Sequence, residues 1–144
     1  MAKPRKVNAT ASASATATAT SITQDVKINI STSERLVQAL NALSLIATPL
    51  QQTVLLEYLS QLLRWNKTYN LTAIRNPDQA LVHHIFDSLS LVPSICSVVN
   101  AVTSDVPIIV DVGSGGGLPG VILAIMLPNT RVVCIDAVEK KTTF

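Results

Sequence analysis

Cysteine, charge and uninterrupted apolar runs are all scarce in this sequence of 144 residues. Its two cysteines, Cys96 and Cys134, match neither a zinc-site nor a disulfide spacing, so we expect a reducing, cytoplasmic setting and a core position for Cys134. The longest useful apolar run, Val121 to Leu127, is far shorter than the roughly 18 residues that cross a bilayer. Charged residues make up only 14% of the chain. We therefore expect a soluble protein with a buried sheet and no membrane contact.

Acidic residues are missing from the N-terminus, where the first one is Asp25. Val7 to Gln24 carries no charge and largely alternates alanine with serine or threonine, a composition that cannot bury enough surface to order itself. Basic residues precede this tract, and it lacks the apolar core of a secretory signal. We expect residues 1–32 to form a disordered tail, with an organellar transit peptide as the alternative.

Residues 33–104 show mainly helical periodicity and are predicted to form a helical region. A first helix begins near Ser33. Thr48, Pro49 and Gln51 then form a capping-box start for a second helix, which runs to about Tyr69. The apolar stripe predicted for this second helix comprises Val54, Leu55, Tyr58, Leu59, Leu62 and Leu63.

A third helix is predicted from a repeat of the same start signal, Asn76-Pro77-Asp78-Gln79. We expect it to end at Pro93, because proline lacks the N–H that continues a helix. A loosely helical connection over residues 94–106 follows.

Glycine is scarce as well, and all five glycines lie between Gly113 and Gly120. An apolar strand, Ile108–Val112, precedes them and contains Asp111 near its end. Glycine lets the backbone turn sharply and approach a ligand closely, so a glycine loop between a strand and a helix is typical of a nucleotide-cofactor pocket. The segment beginning at Gly115 formally satisfies G-x-G-x-x-G, which keeps an NAD-binding oxidoreductase open as an alternative.

Charge around this loop favours S-adenosylmethionine over a dinucleotide. Asp111 would repel a diphosphate, and Pro119 offers no N–H to an anion. S-adenosylmethionine has no phosphate and carries cationic ammonium and sulfonium groups. A second acid, Asp136, follows Gly115 by 21 residues, about the offset at which a carboxylate accepts hydrogen bonds from ribose hydroxyls. The simpler alternative is that both acids cap backbone N–H groups.

Residues 105–144 are predicted to begin an α/β domain. The strand Ile108–Val112, a helix over Pro119–Leu127 and a strand over Arg131–Asp136 make one strand–helix–strand unit, for which a right-handed crossover is expected. A sheet of two strands leaves an edge and a face uncovered, so we expect the fold to continue beyond Phe144.

Several motifs in a fixed order resemble the RsmG family, also called GidB, over roughly Leu55 to Phe144. Many methyltransferases have a glycine loop, but few place W-N-x-x-x-N-L-T and H-x-x-D-S upstream of G-S-G-G-G-L-P-G. The matching segments are Trp65-Asn66-Lys67-Thr68-Tyr69-Asn70-Leu71-Thr72, His84-Ile85-Phe86-Asp87-Ser88-Leu89, the loop from Asp111 to Gly120, and Asp136 with Lys140, Lys141 and Phe144.

The resemblance implies a guanine-N7 methyltransferase of bacterial 16S ribosomal RNA. It also implies a Rossmann-like class I fold, S-adenosylmethionine as the methyl donor, the small ribosomal subunit as partner, and the bacterial cytoplasm. Family members continue through further strands, so a truncated, non-catalytic remnant or an RNA-binding module remains an alternative. The expected cofactor-binding residues are Asp111, Gly113, Ser114, Gly115, Gly117, Leu118 and Asp136. The expected RNA-contacting residues are Arg64, Asn66, Lys67, Asn70, Arg75, His84, Lys140 and Lys141.

Two aromatic residues and two histidines have simpler structural interpretations. Trp65 and Tyr69 are spaced i, i+4 near the end of a helical stripe, so we expect them in the core rather than as a base-stacking surface. His83 and His84 are adjacent and point in different directions from a helix, so no metal site is expected. Asp87 is expected to brace the cofactor loop or its docked helix.

Overall fold

The computed structural model describes residues 30–103 and 106–142. The expectation of a disordered tail lies outside the described residues up to residue 29, and so does Phe144. For residues 30–32 it is wrong, because the first helix already begins at Ile30, three residues before the predicted start near Ser33. In chain order the elements are α1 (Ile30–Ala42), α2 (Pro49–Tyr69), α3 (Pro77–Ala80), a π-helical segment (Leu81–Phe86), α4 (Asp87–Ser90), α5 (Val92–Ala101), β1 (Ile108–Val112), α6 (Gly120–Met126), β2 (Arg131–Ile135) and α7 (Glu139–Thr142).

Helix α2 begins and ends where the sequence predicts. The Thr48 hydroxyl accepts a hydrogen bond from the Gln51 N–H at 3.2 Å, and the Gln51 side chain accepts one from the Thr48 N–H at 2.8 Å. Asn70 closes the helix in the left-handed conformation, with φ of 50°. All the predicted stripe residues are buried except Val54, which is exposed. Helix α2 therefore packs its leucines into the centre of the core.

The helical stretch from Pro77 starts as predicted but ends later. The Asn76 side chain accepts hydrogen bonds from the N–H groups of Asp78 and Gln79. The prediction that Pro93 ends the helical stretch is wrong. Pro93 lies in the first turn of α5, where its missing N–H needs no intrahelical partner. Helical structure therefore continues to Ala101.

The same stretch, Pro77–Ala101, is long and apolar enough by length and composition to cross a membrane, with a mean hydropathy of 1.3 and 22% of the window buried. It contains no long uninterrupted apolar run, because polar residues such as His83, His84 and Asp87 lie within it. Its buried apolar residues, which pack in the core beside α2, are Ala80, Leu81, Ile85, Leu89 and Val92.

Strands β1 and β2 pair in parallel, with Ile108 opposite Arg131 and Val112 opposite Ile135. The predicted limits of β1 are confirmed, and β2 ends one residue earlier than predicted. Helix α6 connects the strands and buries Ile122, Leu123 and Met126.

The expectation of a buried sheet is wrong for the described residues. Ile108, Val110 and Val112 on one face of β1 are 62%, 53% and 78% exposed, because α6 packs against the opposite face and no other described element covers this one. Cys134 is exposed rather than a core residue, since it borders an open cavity beside the glycine loop.

Candidate cofactor and RNA site

The glycine loop, residues 113–119, lies between the C-terminal end of β1 and the start of α6. Gly113, Gly115 and Gly117 have φ angles of 82°, 59° and 93°, in the left-handed region that favours glycine. A Cβ atom built on Gly113 or Gly115 would meet nothing within 4 Å. The loop backbone is therefore open to a ligand at these two positions.

Both predicted acids hold this loop through backbone N–H groups. Asp136 accepts a hydrogen bond from Gly115 at 2.9 Å and one from Val138 at 2.8 Å, and Asp111 accepts one from Gly120 at 2.8 Å. The N–H group of Val138, followed by that of Gly115, lowers the pKa of Asp136. These are the contacts that the alternative of backbone capping predicts. A carboxylate has about four acceptor sites, so each of the two acids can still accept hydrogen bonds from a ligand.

Most N–H groups of the loop donate within the protein. Gly113 and Ser114 donate to the Ile135 carbonyl, and Gly117 and Leu118 donate to the Ser114 carbonyl. The two acids take the N–H groups of Gly115 and Gly120, as described above. Most of the donors that a dinucleotide loop would direct at a pyrophosphate are therefore engaged by carbonyl and carboxylate oxygens.

A cavity of about 640 Å³ opens between the glycine loop and α2. Of the expected cofactor-binding residues, Ser114, Gly115 and Gly117 line it, whereas Asp111, Gly113, Leu118 and Asp136 do not. The remaining lining residues are Val54, Glu57, Tyr58, Gln61, Trp65, Gly116, Val121, Ile125, Cys134 and Lys141.

Tyr58 of α2 ties this helix to the glycine loop. Its buried hydroxyl donates a hydrogen bond of 2.7 Å to the Gly116 carbonyl. Burial raises the pKa of Tyr58, so the phenol stays protonated and remains a donor. Leu62 of α2 also packs closely against Gly116. A Cβ atom added to Gly116 would lie 2.8 Å from Cδ1 of Leu62. Sequence reasoning assigned Tyr58 to the core stripe and missed this contact, which joins residues 58 positions apart.

The W-N-x-x-x-N-L-T motif organises the turn after α2. Asn66 is 3% exposed, donates to the Ile74 carbonyl at 3.1 Å and accepts from the Thr72 N–H at 2.8 Å. The Thr72 hydroxyl shares a 2.9 Å hydrogen bond with Nε2 of His84 in the π-helical segment. Burial lowers the pKa of His84. Asn66 and His84 were predicted to contact RNA, and in this structure both join protein elements.

The other predicted RNA-contacting residues divide between the surface and the cavity. Arg64, Lys67 and Arg75 are exposed, and Arg75 donates to the Asn70 side chain at 2.9 Å. Lys141 lines the cavity. The side chain of Lys140 lies outside the described residues.

Trp65 and Tyr69 are not core residues, contrary to expectation. They are 36% and 39% exposed, and their rings stack on each other with centroids 5.2 Å apart. In this last part of α2 the buried residue is Asn66, and Trp65 and Tyr69 lie on the side of the helix that the core does not cover.

Asp87 contacts its own helical stretch rather than the glycine loop. Its carboxylate lies 3.5 Å from Nδ1 of His83, and both side chains are largely exposed. Within residues 30–103 and 106–142 no group of three histidine, cysteine or acidic residues could hold a metal ion.

The described residues thus form a helix-rich α/β protein with a ligand-accessible glycine loop at the end of a parallel strand pair. The GidB family model, described as rRNA small subunit methyltransferase G, matches residues 51–144. The chain belongs to this family, as the order of its motifs indicated.

Relatives named ribosomal RNA small subunit methyltransferase G extend the match upstream. The one from Bordetella avium (strain 197N) is 53% identical over 117 residues, which are 81% of this chain and 51% of the relative. The one from Cupriavidus metallidurans is 46% identical over 113 residues, 76% of this chain and 48% of the relative. The chain spans about half the length of these curated relatives. No solved structure matches it.

Proposed function

We propose that this chain carries the methyl-donor site of an enzyme that transfers a methyl group from S-adenosylmethionine to N7 of a guanine in 16S ribosomal RNA. Family membership supports methyl transfer, and the names of the relatives support a small-subunit rRNA substrate. The parallel strands joined through α6 support a Rossmann-like class I fold, and the proposed setting is the bacterial cytoplasm. The proposed substrate is 16S rRNA, free or in the small ribosomal subunit.

The choice of S-adenosylmethionine as the methyl donor rests on where the backbone N–H groups at the glycine loop donate their hydrogen bonds. Gly115 and Gly120 donate to the carboxylates of Asp136 and Asp111 instead of leaving their N–H groups to an anion. Two carboxylates next to the loop suit a cationic ligand and disfavour a pyrophosphate. These contacts support S-adenosylmethionine over NAD.

The residues fit this cofactor at several points. Gly113 and Gly115 leave open space where side chains would otherwise stand, and the remaining acceptor sites of Asp136 suit ribose hydroxyls. Aliphatic side chains of Val54, Val121 and Ile125 line the cavity and would exclude water from a bound ligand. When bound, S-adenosylmethionine supplies an electrophilic methyl group on its sulfonium.

Guanine N7 makes modest chemical demands on the protein. It carries a lone pair and no proton, so the chain needs no general base to activate it. The contribution of the protein is then alignment of the base with the donor, which requires a firmly held loop and a firmly held RNA. Tyr58 serves the first requirement through its hydrogen bond to Gly116.

A ligand titration tests the donor. The chain is titrated calorimetrically with S-adenosylmethionine and, separately, with NAD. We expect binding of the first only, and a loss of affinity of about tenfold or more in Asp136→Asn, because the amide cannot accept at both former carboxylate oxygens. Asp78→Asn is the matched control, since Asp78 is an exposed acid that pairs with Arg35. Binding of NAD alone would support the oxidoreductase alternative and overturn the proposal.

Transfer itself is tested with small ribosomal subunits and with free 16S rRNA that lacks the modification. Methylation at N7 makes the nucleotide susceptible to strand scission after borohydride reduction, and primer extension locates the break. Scission at a guanine after incubation with the chain and S-adenosylmethionine is the expected result. Cofactor binding without any methylation would instead favour a non-catalytic remnant.

A further inference from the structure

The C-terminal end of α2 presents two stacked aromatic rings to solvent. Trp65 and Tyr69 are 36% and 39% exposed, with an angle of 23° between their rings. The whole chain contains one tryptophan, two tyrosines and two phenylalanines, so two of its five aromatic residues lie in this pair. Large aromatic side chains that remain exposed together are unusual unless a partner covers them.

The sequence on both sides of this pair is basic. Between Glu57 and Asp78 the sequence contains no acidic residue and three basic ones, Arg64, Lys67 and Arg75. All three are exposed. Exposed aromatic rings flanked by cations match the chemistry of single-stranded nucleic acid, in which bases stack on rings and phosphates pair with cations.

The pair also lies at the edge of the proposed cofactor site. Trp65 lines the cavity together with Gly115 and Gly117 of the glycine loop. Tyr69 lies one turn further along α2, away from the loop. A base stacked on these rings would therefore be next to the place where the methyl donor is proposed to bind.

We propose that Trp65 and Tyr69 form a stacking platform for an unpaired base of the RNA substrate, with phosphates bound by Arg64, Lys67 and Arg75. This inference rests on the proposed function and adds to it a surface that selects single-stranded RNA. Stacking is tolerant of base identity, so the platform positions the RNA strand, and recognition of the target guanine is left to other contacts.

Trp65 provides its own probe, because it is the only tryptophan. The chain is titrated with a short fluorescein-labelled single-stranded RNA, and binding is followed by anisotropy of the label. Quenching of Trp65 emission is followed in parallel with unlabelled RNA. The comparison ligands are an abasic oligonucleotide of the same length and charge, and polyphosphate. We expect quenching by the RNA and little quenching by either comparison ligand at equal saturation.

Substitutions separate stacking from charge. Trp65→Leu and Tyr69→Leu are expected to raise the Kd for RNA by roughly tenfold each, and Trp65→Phe, which keeps a ring, by less than about threefold. Leu50→Ala is the matched control, because Leu50 is an exposed apolar residue at the other end of α2. Circular dichroism melts verify that each variant is folded, and Tyr69→Leu at the helix end serves if Trp65→Leu unfolds.

The outcomes distinguish the platform from the proposed function. RNA binding without quenching, or unchanged affinity in both leucine variants, overturns the platform and leaves RNA methylation standing. No RNA binding by either readout overturns the platform and the RNA part of the proposed function together. Quenching that grows with protein concentration in the absence of RNA shows that a second copy of the chain covers the rings, and also overturns the platform.

Discussion

At the scale of single residues, two glycines of one loop are required for different reasons. Gly115 has a φ of 59° and open space around it, so its backbone conformation, and not a lack of space, favours glycine. Gly120 begins α6 with ordinary helical geometry, and a Cβ atom there would lie 2.5 Å from Sγ of Cys134 and 2.8 Å from the Asp111 carboxylate. Sequence reasoning could identify the loop, but it could not separate backbone conformation from a lack of space.

Gly120→Ala is expected to lower the free energy of unfolding by about 1–3 kcal/mol, because the methyl group forces Cys134 and Asp111 apart from the helix. Urea denaturation measures the loss. Adding Cys134→Ala should recover part of it, since that change removes the nearest atom. Strictly additive effects of the two substitutions would show that the crowding is not at Cys134.

Tyr58→Phe tests the contact between α2 and the loop. The change leaves the Gly116 carbonyl without its buried donor, which costs about 1–3 kcal/mol in the free energy of unfolding. We also expect weaker binding of S-adenosylmethionine, because the loop is less firmly held. Tyr69→Phe is the control, since Tyr69 is exposed and outside the cavity lining. Equal cofactor affinity of both variants would leave Tyr58 with a purely stabilising role.

At the scale of elements, sequence signals located the two capped helix starts and the end of α2. Thr48 and Asn76 cap their helices as predicted, because a cap involves only the next two or three residues. Pro93 was misinterpreted, since a proline has the same local signature whether it follows a helix or begins one. The π-helical segment went unpredicted because π-helix is rare and its apolar residues show the same spacing as those of an α-helix.

Thr48→Ala is expected to destabilise the protein by about 1 kcal/mol, because it removes one half of the capping box at the start of α2. Thermal or urea unfolding gives the value. Thr53→Ala, in the same exposed first turns, removes only a hydroxyl that bonds back to the Pro49 carbonyl, and should change stability by less than about 0.5 kcal/mol. A loss no larger at Thr48 than at Thr53 would contradict the role assigned to the cap.

At the scale of the whole molecule, the two-stranded sheet has one packed face and one open face. Helix α6 buries Ile122 on the packed side, whereas Val110 on the other side is 53% exposed. Within the described residues this second face is therefore an apolar surface in contact with solvent.

Val110→Thr therefore discriminates between the two faces. In this chain we expect a change in the free energy of unfolding within about 0.5 kcal/mol and less aggregation by light scattering, because the side chain already faces solvent. Ile122→Thr is the buried counterpart and should destabilise by roughly 2 kcal/mol or more. A large loss at Val110 would mean that its face is covered in solution.

The helix caps, the limits of β1, the glycine loop and the family could all be predicted from the amino-acid order, because each depends on residues close together in the chain or on motifs in a fixed order. Three features became apparent from the fold alone: Asp111 and Asp136 accept backbone N–H groups of Gly120 and Gly115, Tyr58 holds Gly116, and Trp65 is exposed. These features depend on which surfaces pack against one another, and hydrophobic periodicity indicates that a face is apolar without indicating what covers it.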